Sequence, residues 1–181
     1  NRLSIAGSSN IVFGSNLNAT KEAGEPSHAG NIGGKSLWWT WTAPASGQFV
    51  VSTAGSDFDT LLAIYTGSAV GGLASVAASD DAQSQTRSAA VVLSAVFGTT
   101  YQIAVDGYNG DAGNVRLVIR PATPLAFAQP AKPAGGAFQA SFVAEPGIRF
   151  LIQGSTNFAN WTTVATVVGQ DGALNYLDTQ A

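Results

Sequence analysis

The chain has 181 residues, of which 45 % are hydrophobic and only 10 % charged, and it carries a net charge of −3 at pH 7. That much apolar material excludes a disordered tail, and the shortage of clustered cations excludes a nucleic-acid partner. Cysteine and methionine are absent, which removes disulfides, thiolate metal sites and thiol redox chemistry together.

Strand signals recur at short intervals from the first residues, and no long window shows helical periodicity. Alternation places strands near 2–6, 11–15, 36–43, 47–54, 60–66, 74–78, 88–96, 100–107 and 113–119. The strongest is Lys35 to Pro44, KSLWWTWTAP, where Leu37, Trp39 and Trp41 point to one face and Trp38, Thr40 and Thr42 to the other. Trp39 and Trp41 are therefore expected in a core. Turn residues separate the strands: Ala45-Ser46-Gly47, Gly55-Ser56-Asp57, Gly71-Gly72, Gly98-Thr99-Thr100 and Asn109-Gly110, all of them able to close Asx turns or to adopt positive φ. Residues 16–34 lack alternation and form an irregular loop of a length that is usually functional or held down by its own contacts.

A second unit is expected to begin at Pro121. Prolines at 121, 124, 130 and 133 do not suit a central strand and mark a linker with an edge strand. Alternating runs follow at 137–143, 148–153, 161–168 and 173–177. Five strands fit there against the roughly seven of an immunoglobulin or fibronectin sandwich, so the final strand or strands are expected to be missing, leaving an unpaired edge. The fold class is all-β: tandem sandwiches over residues 1–120 and 121–181.

TKEAGEPSHAGNIGGKSLWWTWTAPASG, GSDFDTLLAIYTG, SDD and GTTYQIAVDGYNGDAGNVRL, spread over residues 20–119, resemble the bacterial pre-peptidase C-terminal domain. The resemblance implies a jelly-roll-like sandwich that is not itself catalytic, attached to exported enzymes or repeated in surface proteins, with calcium or a polymer bound by some relatives. EPGIRFLIQGSTNFANWTTV and DGALNYLDTQA are similar to the fibronectin type III-like modules that follow such domains.

Side chains able to do chemistry are few. His28 is the sole histidine; without a nucleophile elbow it is expected to tie the loop rather than to serve a serine hydrolase. Asp57, Asp59, Asp80, Asp81 and Asp106 lie in turns or at strand ends, where loops could converge on calcium, an ion that takes six to eight oxygens. An aspartate in a turn also closes its own backbone hydrogen bonds, and Asp59, at the start of an apolar strand, is expected to be structural because an unpaired carboxylate is costly to bury. Trp38 and Tyr108 are the candidate recognition aromatics, with packing beneath the 16–34 loop as the alternative for Trp38. The sequons at Asn18 and Asn160 are expected to be unmodified.

Function is thus expected to lie in surfaces: a non-catalytic extracellular structural or adhesive protein, plausibly a filament subunit joined by strand addition between copies. Its partners would be other copies or other surface proteins, or a polysaccharide. The alternative is a polymer-binding accessory module of a secreted hydrolase. No stretch approaches the ~20 apolar residues of a membrane helix, and membrane insertion is not expected.

Overall fold

The computed structural model describes residues 2–82, 86–127, 138–170 and 173–178. The chain divides into two compact units, residues 1–122 and 123–181. Pro130 and Pro133 of the expected linker lie outside the described residues.

The first unit contains β1 (Leu3–Ile5), β2 (Asn10–Ser15), β3 (Leu37–Thr42), β4 (Gly47–Ser52), β5 (Thr60–Thr66), β6 (Ala74–Ser79), β7 (Ala90–Ala95), β8 (Thr100–Gly107) and β9 (Asn114–Pro121). All nine coincide with the strands expected from alternation. β9 runs further than its expected end at 119, because Pro121 takes the last position, opposite Phe49, and Ala122 N–H continues the pairing to the Gln48 carbonyl.

Two sheets face each other, with orders β1-β3-β8-β5-β6 and β2-β9-β4-β7. The pairs β2·β9, β3·β8, β4·β7 and β5·β6 are all antiparallel. They nest one inside another along the chain, so the unit is a long antiparallel ribbon rolled into a sandwich, which is the jelly-roll connection of eight strands. β1 is an addition that pairs parallel with β3.

Between the sheets lie Trp39 and Trp41 of β3, Phe49 and Val51 of β4, Leu62 and Ile64 of β5, Ile103 and Val105 of β8, and Val115, Leu117 and Ile119 of β9. Trp41 stacks edge-on against Phe49 at 4.9 Å and tilts against Tyr101 at 5.9 Å. β5 is buried on both faces, and this explains why TLLAIYT is apolar without alternation. Its Leu62 and Ile64 enter the sandwich, while Ala63 and Tyr65, with Ala104 of β8, form a smaller cluster on the outer face against Trp38 and Leu73. A sheet face that is covered twice needs a second cover, and residues of the 16–34 loop supply it.

The second unit has β10 (Ala126–Phe127), β11 (Phe138–Val143), β12 (Arg149–Gly154), β13 (Thr162–Val168) and β14 (Ala173–Asp178). These form a three-stranded sheet, β10-β11-β14, and a two-stranded one, β12-β13. Its buried described residues are Ala140, Phe142, Ala144, Glu145 and Gly169.

Candidate functional site

Most side chains able to do chemistry gather at one end of the first unit and on the outer face of the β1-β3-β8-β5-β6 sheet. The long loop is pinned there by two polar knots. In the first, His28 is fully buried, with Nε2 2.9 Å from Glu25 Oε1 and Nδ1 2.8 Å from the Tyr65 hydroxyl. Burial alone would raise the Glu25 carboxyl, but hydrogen bonds from Ser36, His28 and the Glu22 N–H outweigh it and hold the group below its ordinary value. An ionised carboxylate only accepts, so Nε2 carries a proton, and in the neutral imidazole Nδ1 accepts from the Tyr65 hydroxyl. Burial, with the Glu25 charge as a lesser cause, pushes Tyr65 up to about 12, which keeps that hydroxyl a donor.

The second knot is Asp106, at the end of β8 and fully buried. It accepts N–H groups from Gly34 at 3.0 Å, Lys35 at 2.8 Å and Gly107 at 2.8 Å. A Cβ on Gly33, whose φ is +56°, would overlap this carboxylate, so glycine is required where the loop returns to β3. Glu25, His28 and Asp106 bring ligand-type atoms within 4.8 Å of one another. Each of the three is already committed to a hydrogen-bond partner, so a metal would have to break what holds the loop. His28 accordingly ties the loop, as expected; both of its nitrogens are taken by groups other than serine.

The five candidate calcium ligands separate. Asp57 accepts from the backbone and side-chain N–H groups of Asn114 at 2.6 and 2.7 Å, closing the turn before β9, while Asp106 is filled by the loop. Asp59, Asp80 and Asp81 remain together, with carboxylate oxygens within 4.8 Å of one another. Asp59 Oδ1 is buried without a hydrogen-bond partner. What ties Asp59 into the fold is its backbone: its N–H donates to Asp111 Oδ2 at 3.1 Å and its carbonyl accepts from Tyr108 N–H at 2.9 Å.

Burial, then the charges of Asp81 and Asp111 against the opposing Arg87, raise Asp59 above its ordinary value. Burial and the charges of Asp81 and Asp59 raise Asp80 likewise. Asp111, which sequence reasoning did not single out, is lowered by the N–H groups of Asp59 and Ala112. Its only signal was its place three residues before β9. Asn16 was missed in the same way: its side chain donates to the Lys35 carbonyl at 2.9 Å and accepts from Gly113 N–H at 2.8 Å, fastening the start of the loop.

The two recognition aromatics differ. Tyr108 stands 40 % exposed on a turn whose next residue, Asn109, has φ of +50°. Trp38 is half-buried: its indole N–H reaches Ser36 Oγ at 3.1 Å and Glu25 Oε1 at 3.3 Å, and its ring centre lies 5.5 Å from that of His28. The Arg2 guanidinium lies 5.6 Å over the same ring, a cation–π contact. What remains open is a hollow of about 310 Å³ lined by Arg2, Glu22, Trp38 and Val70. A larger groove of about 490 Å³ runs between the loop at Pro26, Ser27, Ala29 and Gly30 and the strand β6, with Tyr65 and Leu73 in its floor and Asp80 at one end.

No protein-family model matches the chain, and no curated protein matches it significantly. Solved structures do. The pre-peptidase C-terminal domain of a Bacillus anthracis collagenase is 15 % identical, with a TM-score of 0.44 over 66 % of this chain and 95 % of that one. PliG of Aeromonas hydrophila, a periplasmic inhibitor of g-type lysozyme, is also 15 % identical, with a TM-score of 0.42 over 66 % of this chain and 94 % of that one. The strand order itself makes the chain an all-β jelly-roll sandwich followed by a smaller β unit.

Proposed function

We propose that this chain is a non-catalytic extracellular module of the pre-peptidase C-terminal kind followed by a fibronectin-like unit, belonging to a bacterial surface or secreted assembly whose copies join by strand addition. One observation carries the reading. In the second unit, β12 and β13 pair only with each other among the described strands, and no charged residue occurs between Phe150 and Gln170. Leu151, Trp161, Val164 and Leu177 are each about half exposed, and Phe158 is 85 % exposed. Proteins that remain monomeric guard such edges with lysine, proline or a covering segment, and contiguous exposed apolar surface marks a contact site. The motifs over residues 20–119 support the family and, with it, an exported location.

A substitution on β13 tests this directly. Val164→Lys places a charge on β13 of the second unit, and sedimentation velocity should show the oligomers of the parent chain reduced to monomer. Oligomers that persist unchanged in the variant would contradict strand addition at this edge.

The second reading, a polymer-binding accessory module, is favoured by Tyr108 at its loop tip and by the open edge of Trp38 beside Arg2. On a glycan and collagen array, Tyr108→Ala and Trp38→Ala would lose signal under this reading and keep it under the first.

A further inference from the structure

The groove beside β6 belongs to the first unit, whereas the edge invoked above belongs to the second, and three properties of its surroundings agree. First, β6 is the last strand of its sheet, and its sequence ASVAAS contains no charge and no proline. Such a strand offers a row of backbone N–H and C=O groups to an incoming segment. A register shift between Ile64 and Tyr65 leaves Val76 without a paired residue, but Ala77, Ala78 and Ser79 stay in regular register with Ile64, Ala63 and Leu62. Most of the strand is exposed.

Second, the same strand forms one wall of the 490 Å³ groove through Ser75, Ala78 and Ser79, with Ser27 and Ala29 of the long loop opposite. Small side chains and hydroxyls make that wall shallow and wettable. Side chains of modest size, carried on one face of an added strand, would fit between wall and loop.

Third, the carboxyl end of β6 runs into Asp80 and Asp81, with Asp59 beside them. Asp59 Oδ1 is buried and lacks a partner, and no hydrogen bond from a described residue reaches the carboxylates of Asp80 or Asp81. The cations acting on this region are Arg87 and, through Asp111, Lys35. Negative charge is in excess there, and it adds to the burial that raises the Asp59 and Asp80 carboxyls.

From these we propose that β6 is a strand-addition site for an extended peptide of small and β-branched residues bearing a lysine or arginine near its amino-terminal end. Added antiparallel, the more frequent pairing, such a peptide begins beside the carboxyl end of β6. Its basic side chain then reaches Asp80 and Asp81, beside the buried Asp59 oxygen, while the following residues pair along Ser79 to Ala77. Backbone pairing supplies affinity, and the charge sets register and direction.

The test uses the full chain, isotopically labelled, titrated with acetyl-Lys-Thr-Val-Ser-Val-Thr-amide and with the same peptide carrying Glu in place of Lys. The amide signals of residues 74–80 should shift with the Lys peptide and not with the Glu peptide. Asp80→Asn should weaken the Lys peptide about tenfold, as the loss of one charge-assisted contact would. Ser75→Trp, which fills the groove and leaves the carboxylates in place, should abolish the shifts while the melting curve confirms a folded chain. Equal binding of the two peptides, shifts confined to other residues, or binding that survives Ser75→Trp would overturn the proposal. So would calcium chloride producing the 74–80 shifts in chelator-treated protein that ignores the Lys peptide, a result that would assign the cluster to a metal ion.

Discussion

His28 Nδ1 lies 2.8 Å from the Tyr65 hydroxyl, joining an otherwise irregular loop to a strand that is buried on both faces. The histidine at the loop and the tyrosine on β5 are 37 positions apart in sequence, and the hydroxyl is the partner of Nδ1. Removing the hydroxyl leaves a buried ring nitrogen unpaired, which costs about 1–3 kcal/mol. Tyr65→Phe should therefore lower the unfolding free energy by that amount in denaturant titration. It should also speed hydrogen exchange at His28 and Asn31, whose backbones bond each other.

Glu25 gives the loop its pH dependence. Its folded-state pKa lies below the ordinary 4.5, so its contribution is present above the unfolded value and is lost as pH falls through the folded one. The Trp38 indole N–H, which bonds Glu25, should keep its dispersed NMR signal at neutral pH and lose it in acid below that range. Glu25→Gln should remove the transition. A Trp38 signal that titrates identically in Glu25→Gln would contradict the assignment.

Asp80 and Asp59 have the opposite sign. Their folded-state pKa values are raised, so their ionised forms oppose folding above the folded pKa, and stability is regained as pH falls below it. Asp80→Asn should melt higher than the parent at pH 7, and the difference should shrink toward pH 4. A lower midpoint at pH 7 would show that the carboxylate is compensated.

Asp106 is expected to be the most damaging single loss among the carboxylates. Three backbone N–H groups converge on it in a site with no exposure. Asp106→Ala would strand them and cost about 3 kcal/mol or more, whereas Asp57→Ala, which frees only a turn near the surface, should cost about 1 kcal/mol. Calorimetry of the two variants, with and without chelator, checks the order and should find it independent of calcium.

Much of the fold was legible because the jelly roll is written in period-two alternation: Trp39 and Trp41 face inward and Thr40 and Thr42 do not, so β3 could be placed and oriented from its residues alone. β5 carried no orientation signal, since both of its faces are covered, and the outer cluster of Ala63, Tyr65 and Ala104 was invisible for that reason. The loop network could not be read because its partners are far apart in sequence. Nothing local in Gly24-Glu25-Pro26-Ser27-His28 names Tyr65, and nothing in Asp106 names Gly34. The aspartates were legible as a group but not in their division, because a turn-closing carboxylate such as Asp57 and an uncompensated one such as Asp80 look alike until the N–H groups around them are placed.

The proposed function has copies of this chain joining through the unguarded strands of the second unit. Size-exclusion chromatography of the purified chain at increasing concentration, with negative-stain imaging of the leading fractions, tests it most directly. The account predicts end-to-end oligomers that lengthen with concentration; a monodisperse monomer at the highest concentration reached would contradict it.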